Sequence, residues 1–181
     1  MPTAKARQGR TRRVSVLMPT YNHRPFVEQA IRSVLEQVVG GDVRVSLIVA
    51  DDASTDGTDV IVARLAAEHP DTIVPIYRPS NVGMYRNFAD LWDRAGGDYL
   101  AVLEGDDYWT RPDKLRLQVA AMDSHPEWTM SFHRTELVDQ DGSRGGIFPE
   151  DEAIARGIDV STLAAGNYIS TPTVMYRQGV L

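Results

Sequence analysis

Cysteine is absent from the 181 residues. That excludes disulfides and thiolate metal sites, and it fits a reducing compartment. No stretch approaches the roughly 20 consecutive apolar residues that a bilayer-spanning helix needs, and the N-terminus carries no apolar signal-peptide core. Neither G-x-G-x-x-G after a strand nor G-x-x-x-x-G-K-[ST] occurs, so the usual warrants for a nicotinamide enzyme or a P-loop ATPase are missing. Histidine is scarce. His23, His69, His125 and His133 stand at no metal-ligand spacing from one another, which argues against a zinc site.

Basic residues are also few once the first 13 positions are passed. Residues 1–13 hold Lys5, Arg7, Arg10, Arg12 and Arg13 and no acid. The rest carries 14 basic against 25 acidic groups, a balance of −11 within a net charge of −6. An acidic body argues against nucleic acid as a partner, because phosphate backbones are held mainly by Lys and Arg. The basic leader is expected to be a loose, solubilising segment, with peripheral contact to anionic membrane lipid or to RNA as its candidate roles. The expected location is cytoplasmic. The remaining composition, 43% hydrophobic and 24% charged, suits a soluble globular chain with a substantial core.

What is present is an alternation of apolar runs and helical periodicity. Val14 to Met18 reads as a first strand halted by Pro19, with Pro19 to Asn22 as its turn. Pro25 suits the first position of a helix that buries Phe26, Ala30, Ile31, Val34, Leu35 and Val38 and ends at Gly40-Gly41. Val43 to Ala50 is a second strand. The next helix is capped by Ser54 or Asp56, with Val60, Ile61, Ala63, Leu65 and Ala66 available for its buried face. Ile73 to Tyr77 is a strand that Pro75 places at an edge. A helix over 85–95 turns Phe88, Leu91 and Trp92 inward, and Tyr99 to Leu103 is a fourth strand. Pro112 to Met122 is helical, with Leu115, Val119 and Met122 spaced for burial. Trp128 to Val138 reads as a strand, 139–142 as a turn, Pro149 to Arg156 as a short helix and Thr173 to Tyr176 as a strand.

The order β-α-β-α-β-α-β, with strands apolar on both faces, predicts an α/β fold: a mostly parallel sheet covered by helices on both sides. In such sheets ligands bind outside the carboxyl ends of the strands. Pro19 to Asn22, Asp51-Asp52 and Glu104 to Asp107 all gather there. Glu104, Asp106 and Asp107 put three carboxylates within four positions at the end of a buried strand, an arrangement tolerable mainly when a cation neutralises it. Such oxygen ligands suit Mg²⁺, Mn²⁺ or Ca²⁺. Helix capping explains Ser54, Asp56 and Gly57, but not two acids at the tip of a strand. A carboxylate there can accept a hydrogen bond from a pyrimidine N–H or a ribose hydroxyl. Arg86, in Asn81-Val82-Gly83 to Asn87, has the guanidinium that matches a phosphate. Tyr108 and Trp109 either wall the site or bury area.

The set Pro19-Thr20-Tyr21-Asn22, Asp51 to Thr58, Asn81-Val82-Gly83 and Glu104-Gly105-Asp106-Asp107-Tyr108-Trp109 resembles, in order and spacing, the family 2 glycosyltransferases of GT-A fold. The likeness covers about residues 14–140, and Ser170 to Tyr176 looks like one branch of that family. It implies a GT-A Rossmann-like αβα sandwich and the inverting transfer of a sugar from a nucleotide-diphosphate donor, typically a UDP-sugar. By the resemblance, Pro19, Tyr21 and Asn22 would line the nucleotide pocket. Asp52 would contact the base, Asp51 would support it or the ribose, and Arg86 would lie near base or diphosphate. Asp106 and Asp107 match the acidic D-x-D signature, with Glu104 in place of its first Asp, and would hold Mg²⁺ or Mn²⁺ beside the donor. Aligning on the preceding strand makes Asp106 the metal ligand, whereas counting back from Pro112 makes it Asp107. The stretch Asn81 to Asn87 is shorter than the family's usual N-x-G-x-x-x-A-R-N.

In the family the catalytic base lies well after the D-x-D signature, in an E-D or G-D motif. Counting forward passes Leu181, and Glu150, Asp151, Glu152 and Asp159 lack that context. No catalytic base is therefore expected within this chain. The expected division is a leader over 1–13, a nucleotide-sugar-binding core over 14–140, and the start of an acceptor-side region over 141–181, with a glycan, lipid-linked or protein acceptor. Two other functions compete. A sugar nucleotidyltransferase would want a Gly-rich, basic loop after the first strand, which Pro19 to Asn22 does not offer. A non-catalytic nucleotide-sugar-binding module would keep the donor pocket alone.

Overall fold

The computed structural model describes residues 10–139, 141–150 and 166–179. β1 (Arg12–Thr20), β2 (Val43–Asp51), β3 (Ile73–Tyr77) and β4 (Tyr99–Val102) run parallel. β5 (Met130–Ser131) and β8 (Met175–Arg177) complete one sheet in the order β3-β2-β1-β4-β8-β5, with β8 antiparallel to both its neighbours. β6 (Thr135–Val138) and β7 (Arg144–Phe148) form a separate antiparallel hairpin.

Side chains alternate across a strand, so a central strand buried on both sides must be apolar throughout. Val14, Val16 and Met18 of β1 pack in one cluster with residues of α1 (Val27–Leu35), α2 (Thr58–Glu68) and α4 (Lys114–Ser124). On the opposite face Leu17, Ile48, Ala50 and Leu100 meet Leu91 of α3 (Met84–Arg94) and Ala95. Each such Leu or Ile contributes about 1.5–3 kcal/mol on burial. The result is the expected αβα sandwich with a mostly parallel sheet.

Several element boundaries differ from the sequence reading. β1 does not stop at Pro19. The proline withholds a donor but keeps its acceptor, and its carbonyl takes the Gly105 amide at 3.1 Å while Thr20 accepts the Asp52 amide at 3.0 Å. β1 also starts earlier, at Arg12, because its basic residues find partners: Arg12 pairs with Asp123 at 2.9 Å and the Arg13 amide donates to Asp98 Oδ2 at 2.9 Å. α1 begins at Val27, not Pro25. The His23 carbonyl accepts the amides of both Phe26 and Val27, which makes residues 23–26 a turn. Val38 lies beyond the helix and is exposed. α2 buries Val62 and leaves Val60 exposed.

The expected strand over 128–138 is two elements. β8 is only three residues long and pairs with Met130 and Ser131 alone, while Thr135 to Val138 turns away to pair with β7. Residues 171–173 form a 3-10 turn before β8, so that strand starts at Met175. The helix expected over 149–156 lies outside the described residues beyond Glu150. Among the described residues no helix is long and apolar enough to cross a membrane.

Candidate functional site

The carboxyl ends of β1, β2 and β4 and the loop entering α3 enclose a cavity of about 530 Å³, a size typical of small-molecule sites. From β1 and its turn come Pro19, Thr20, Tyr21 and His23; from the end of β2 comes Asp52. The loop and start of α3 add Asn81, Gly83, Met84 and Asn87, and Glu104, Asp106 and Asp107 follow β4. Of the residues singled out by sequence, Pro19, Tyr21, Asp52, Glu104, Asp106 and Asp107 are brought together here. Asn22, Asp51 and Arg86 are not in the lining.

Asn22 and Asp51 shape the turns beneath it. Asn22 sits at φ 55°, a left-handed conformation that Asn tolerates better than most residues. Its amide donates to Ser54 Oγ at 2.9 Å, and its Oδ1 accepts the Thr55 amide at 2.9 Å. Asp51 is buried and accepts from the Ser54 amide and hydroxyl. Ser54 is therefore not the cap of α2. That place is taken by Gly57 at φ 95°, with Asp56 Oδ1 accepting the Thr58 amide at 3.0 Å. The turns after β1 and β2 are thus fastened to each other.

Asp52 fastens the third wall. Its two carboxylate oxygens accept the amides of Val82 at 2.8 Å and Gly83 at 2.9 Å. Gly83, at φ 86° and ψ 154°, takes a conformation open to glycine, and α3 starts from it. Inside α3, Asn87 donates to the Ala50 carbonyl at 2.9 Å and accepts from Arg78 Nε at 3.1 Å. Arg86, one residue earlier on the helix, is exposed, and its side chain makes no hydrogen bond or ion pair to a described residue.

The acidic stretch after β4 is the electrostatic centre. Burial pushes the Glu104 carboxyl up to about 7, with Asp107 adding to the shift, and its Oε2 is buried without a partner. Burial likewise raises Asp107 to about 6, helped by Asp106. Asp106 stands at the open side with half its side chain exposed. Gly105 between them is required by close approach. A Cβ there would lie 2.5 Å from Thr20 Oγ1 and 2.9 Å from His23 Nδ1. Trp109 is buried in the main core and does not line the cavity; its Nε1 donates to the Pro172 carbonyl at 2.8 Å. Tyr108 is partly exposed and lies outside the lining as well.

The sequence profile for "Glycosyl transferase family 2" matches residues 15–160, a span that contains every wall of this cavity. The chain belongs to glycosyltransferase family 2. An uncharacterized protein of Mycobacterium tuberculosis is 39% identical over 165 residues, covering 91% of this chain and 47% of that protein. TuaG of Bacillus subtilis, assigned as a teichuronic acid biosynthesis glycosyltransferase, is 35% identical over 131 residues, 72% of this chain and 49% of its own length. Among solved structures, mannosyltransferase PcManGT of Pyrobaculum calidifontis, in complex with GDP-Man and Mn²⁺, is 28% identical with a TM-score of 0.60. That match covers 68% of this chain and 35% of that one. Residues 1–349 of Staphylococcus aureus TarS, in complex with UDP, match with a TM-score of 0.68 at 22% identity over 91% of this chain and 46% of that one, a likeness of fold. The chain spans about half the length of the curated relatives it matches.

The fold of this family 2 domain is GT-A, and its carboxylates fit a divalent cation. Glu104 is destabilised as an anion by burial and by the charge of Asp107, and Asp107 by burial and by the charge of Asp106, which a nearby cation would relieve. Among the described residues no three His, Asp or Glu side chains form a complete metal cage. Two carboxylates plus substrate phosphates are the usual way of holding Mg²⁺. Sequence reasoning missed Thr20 and His23, although both lie in or next to the turn it singled out. It also missed Asn87, a polar residue whose burial inside an otherwise amphipathic helix leaves no mark in the pattern.

Proposed function

We propose that the chain is the donor-binding part of an inverting, divalent-metal-dependent glycosyltransferase that uses a UDP-sugar and a glycan hydroxyl as acceptor. The observation that carries this reading is the charge of the cavity. Asp52, Glu104, Asp106 and Asp107 line it and neither Lys nor Arg does. A diphosphate would be repelled from such a site unless a cation came with it.

Asp106 and Asp107 are the residues that would hold Mg²⁺ or Mn²⁺, with Glu104 behind them. The ion, when bound, offsets charge growing on the departing diphosphate. Asp52 keeps lone pairs beyond the two that accept loop amides, and these can take a base N–H. Uracil is assigned on the resemblance of Asp51-Asp52 to the family motif. The acceptor hydroxyl attacks the anomeric carbon from the face opposite the diphosphate, the bond to the diphosphate breaks, and configuration inverts. The hydroxyl proton passes to a carboxylate base. No described residue is assigned that role. The teichuronic acid assignment of TuaG supports a cell-surface glycan as product.

Asp106→Asn combined with Asp107→Asn tests the metal site. UDP binding by calorimetry should lose its dependence on Mn²⁺, with GDP titrated alongside to test the base. Equal Mn²⁺ dependence in the wild type and the double variant would remove Asp106 and Asp107 from the metal, and tighter binding of GDP would overturn the uracil assignment.

A further inference from the structure

The cavity leaves an imidazole unexplained. His23 lines it, and neither ring nitrogen makes a hydrogen bond to a described residue. Its Nδ1 is buried and unpartnered, and so is Thr20 Oγ1; both crowd the point where a Gly105 side chain would stand. Nε2 lies 3.6 Å from Asp106 Oδ2, too far for a hydrogen bond but close enough for both to face one bound atom.

The turn that carries the ring is held in place through its backbone. Asn22 donates to Ser54 Oγ at 2.9 Å, and Arg24 donates its amide to Asp56 Oδ2 at 2.9 Å. Between them the His23 carbonyl accepts the Phe26 and Val27 amides at 2.9 and 2.8 Å. Three consecutive residues are thus tied down, and the side chain they present is unused. A donor group fixed before its ligand arrives costs little to order on binding. With its proton on Nε2 the ring presents a donor on the Asp106 side.

We propose that His23 is a donor-binding residue, whose Nε2–H donates to a phosphate oxygen of the nucleotide diphosphate beside Asp106. This rests on the nucleotide-sugar reading above. Every charged side chain lining the cavity is a carboxylate, so His23 is the one ring N–H there that the protein offers to the phosphates. The role needs a donor at the Nε2 position and no change of charge.

Titration of UDP and of uridine at saturating Mn²⁺, in the wild type and in His23→Phe, His23→Asn and His23→Gln, tests it. Glutamine places an amide near the Nε2 position and asparagine near Nδ1. The expected result is a loss of about tenfold or more in UDP affinity for Phe and Asn, with uridine affinity within about twofold of wild type. Gln should recover most of the UDP affinity, and Mn²⁺ affinity without nucleotide should not change. If His23→Phe fails to fold by circular dichroism, the Asn and Gln pair decides. UDP affinity unchanged in all variants, equal losses for UDP and uridine, or a matching loss of Mn²⁺ affinity would each overturn the role of His23. Failure of the wild type to bind UDP at all would sink the underlying reading first, and this inference with it.

Discussion

Glu104-Gly105-Asp106-Asp107 shows how much one residue can decide. Gly105 exists so that the backbone can pass against Thr20 and His23, and a methyl group there would meet Thr20 Oγ1 at 2.5 Å. Gly105→Ala should cost about 1–3 kcal/mol by urea unfolding, as overpacking does. Gly96→Ala, where a Cβ meets nothing within 4 Å, should be close to neutral. Glu104 carries the pH dependence. Its folded-state carboxyl sits at about 7 against an ordinary 4.5, so the folded protein holds the proton more tightly than the unfolded chain. Below pH 4.5 both states are protonated and no stability is lost. Between 4.5 and 7 the unfolded chain ionises first, so stability falls as pH rises. Thermal melts of metal-free protein from pH 4.5 to 7.5 should show that fall in the wild type and a shallower one in Glu104→Gln. Parallel curves would remove Glu104 as its source.

At the scale of elements, the strands were legible because continuous apolar runs such as Val14 to Met18 and Tyr99 to Leu103 have no other home than a doubly covered sheet. The turns were less so. Ser54 looked like a cap because Ser before a helix usually is one, yet its hydroxyl is engaged by Asn22 and Asp51, a tertiary arrangement that local pattern does not encode. The break after Ser131 was invisible for a similar reason, since it is set by the shortness of β8 some 40 residues on. At the start of α4, Lys114 is buried with its Nζ unpartnered, 3.7 Å from the centre of the Trp109 ring. Burial lowers its pKa well below the ordinary 10.5. The folded state then binds fewer protons than the unfolded chain, so this residue's cost shrinks as pH rises toward 10.5. Lys114→Met should stabilise the protein at pH 7 by roughly 1–3 kcal/mol. The gain over wild type in chemical denaturation should narrow at pH 9.5, and a gain independent of pH would contradict a buried amine.

For the molecule as a whole, the architecture and the meeting of three strand ends could be read from order and periodicity alone. Which residues face inward could not: Asp51 and Asp52 are neighbours of the same type, yet one braces its own turn and the other borders the cavity. Alternation along a strand separates such a pair only once the register is known. In the function proposed above, a cavity walled by carboxylates holds a nucleotide diphosphate through a divalent cation. Calorimetric titration of the wild-type chain with UDP, with and without Mn²⁺, tests it most directly. UDP should bind in Mn²⁺ and weaken at least about tenfold when the metal is chelated. Equal affinity in both conditions, or no binding by a chain shown to be folded, would contradict it.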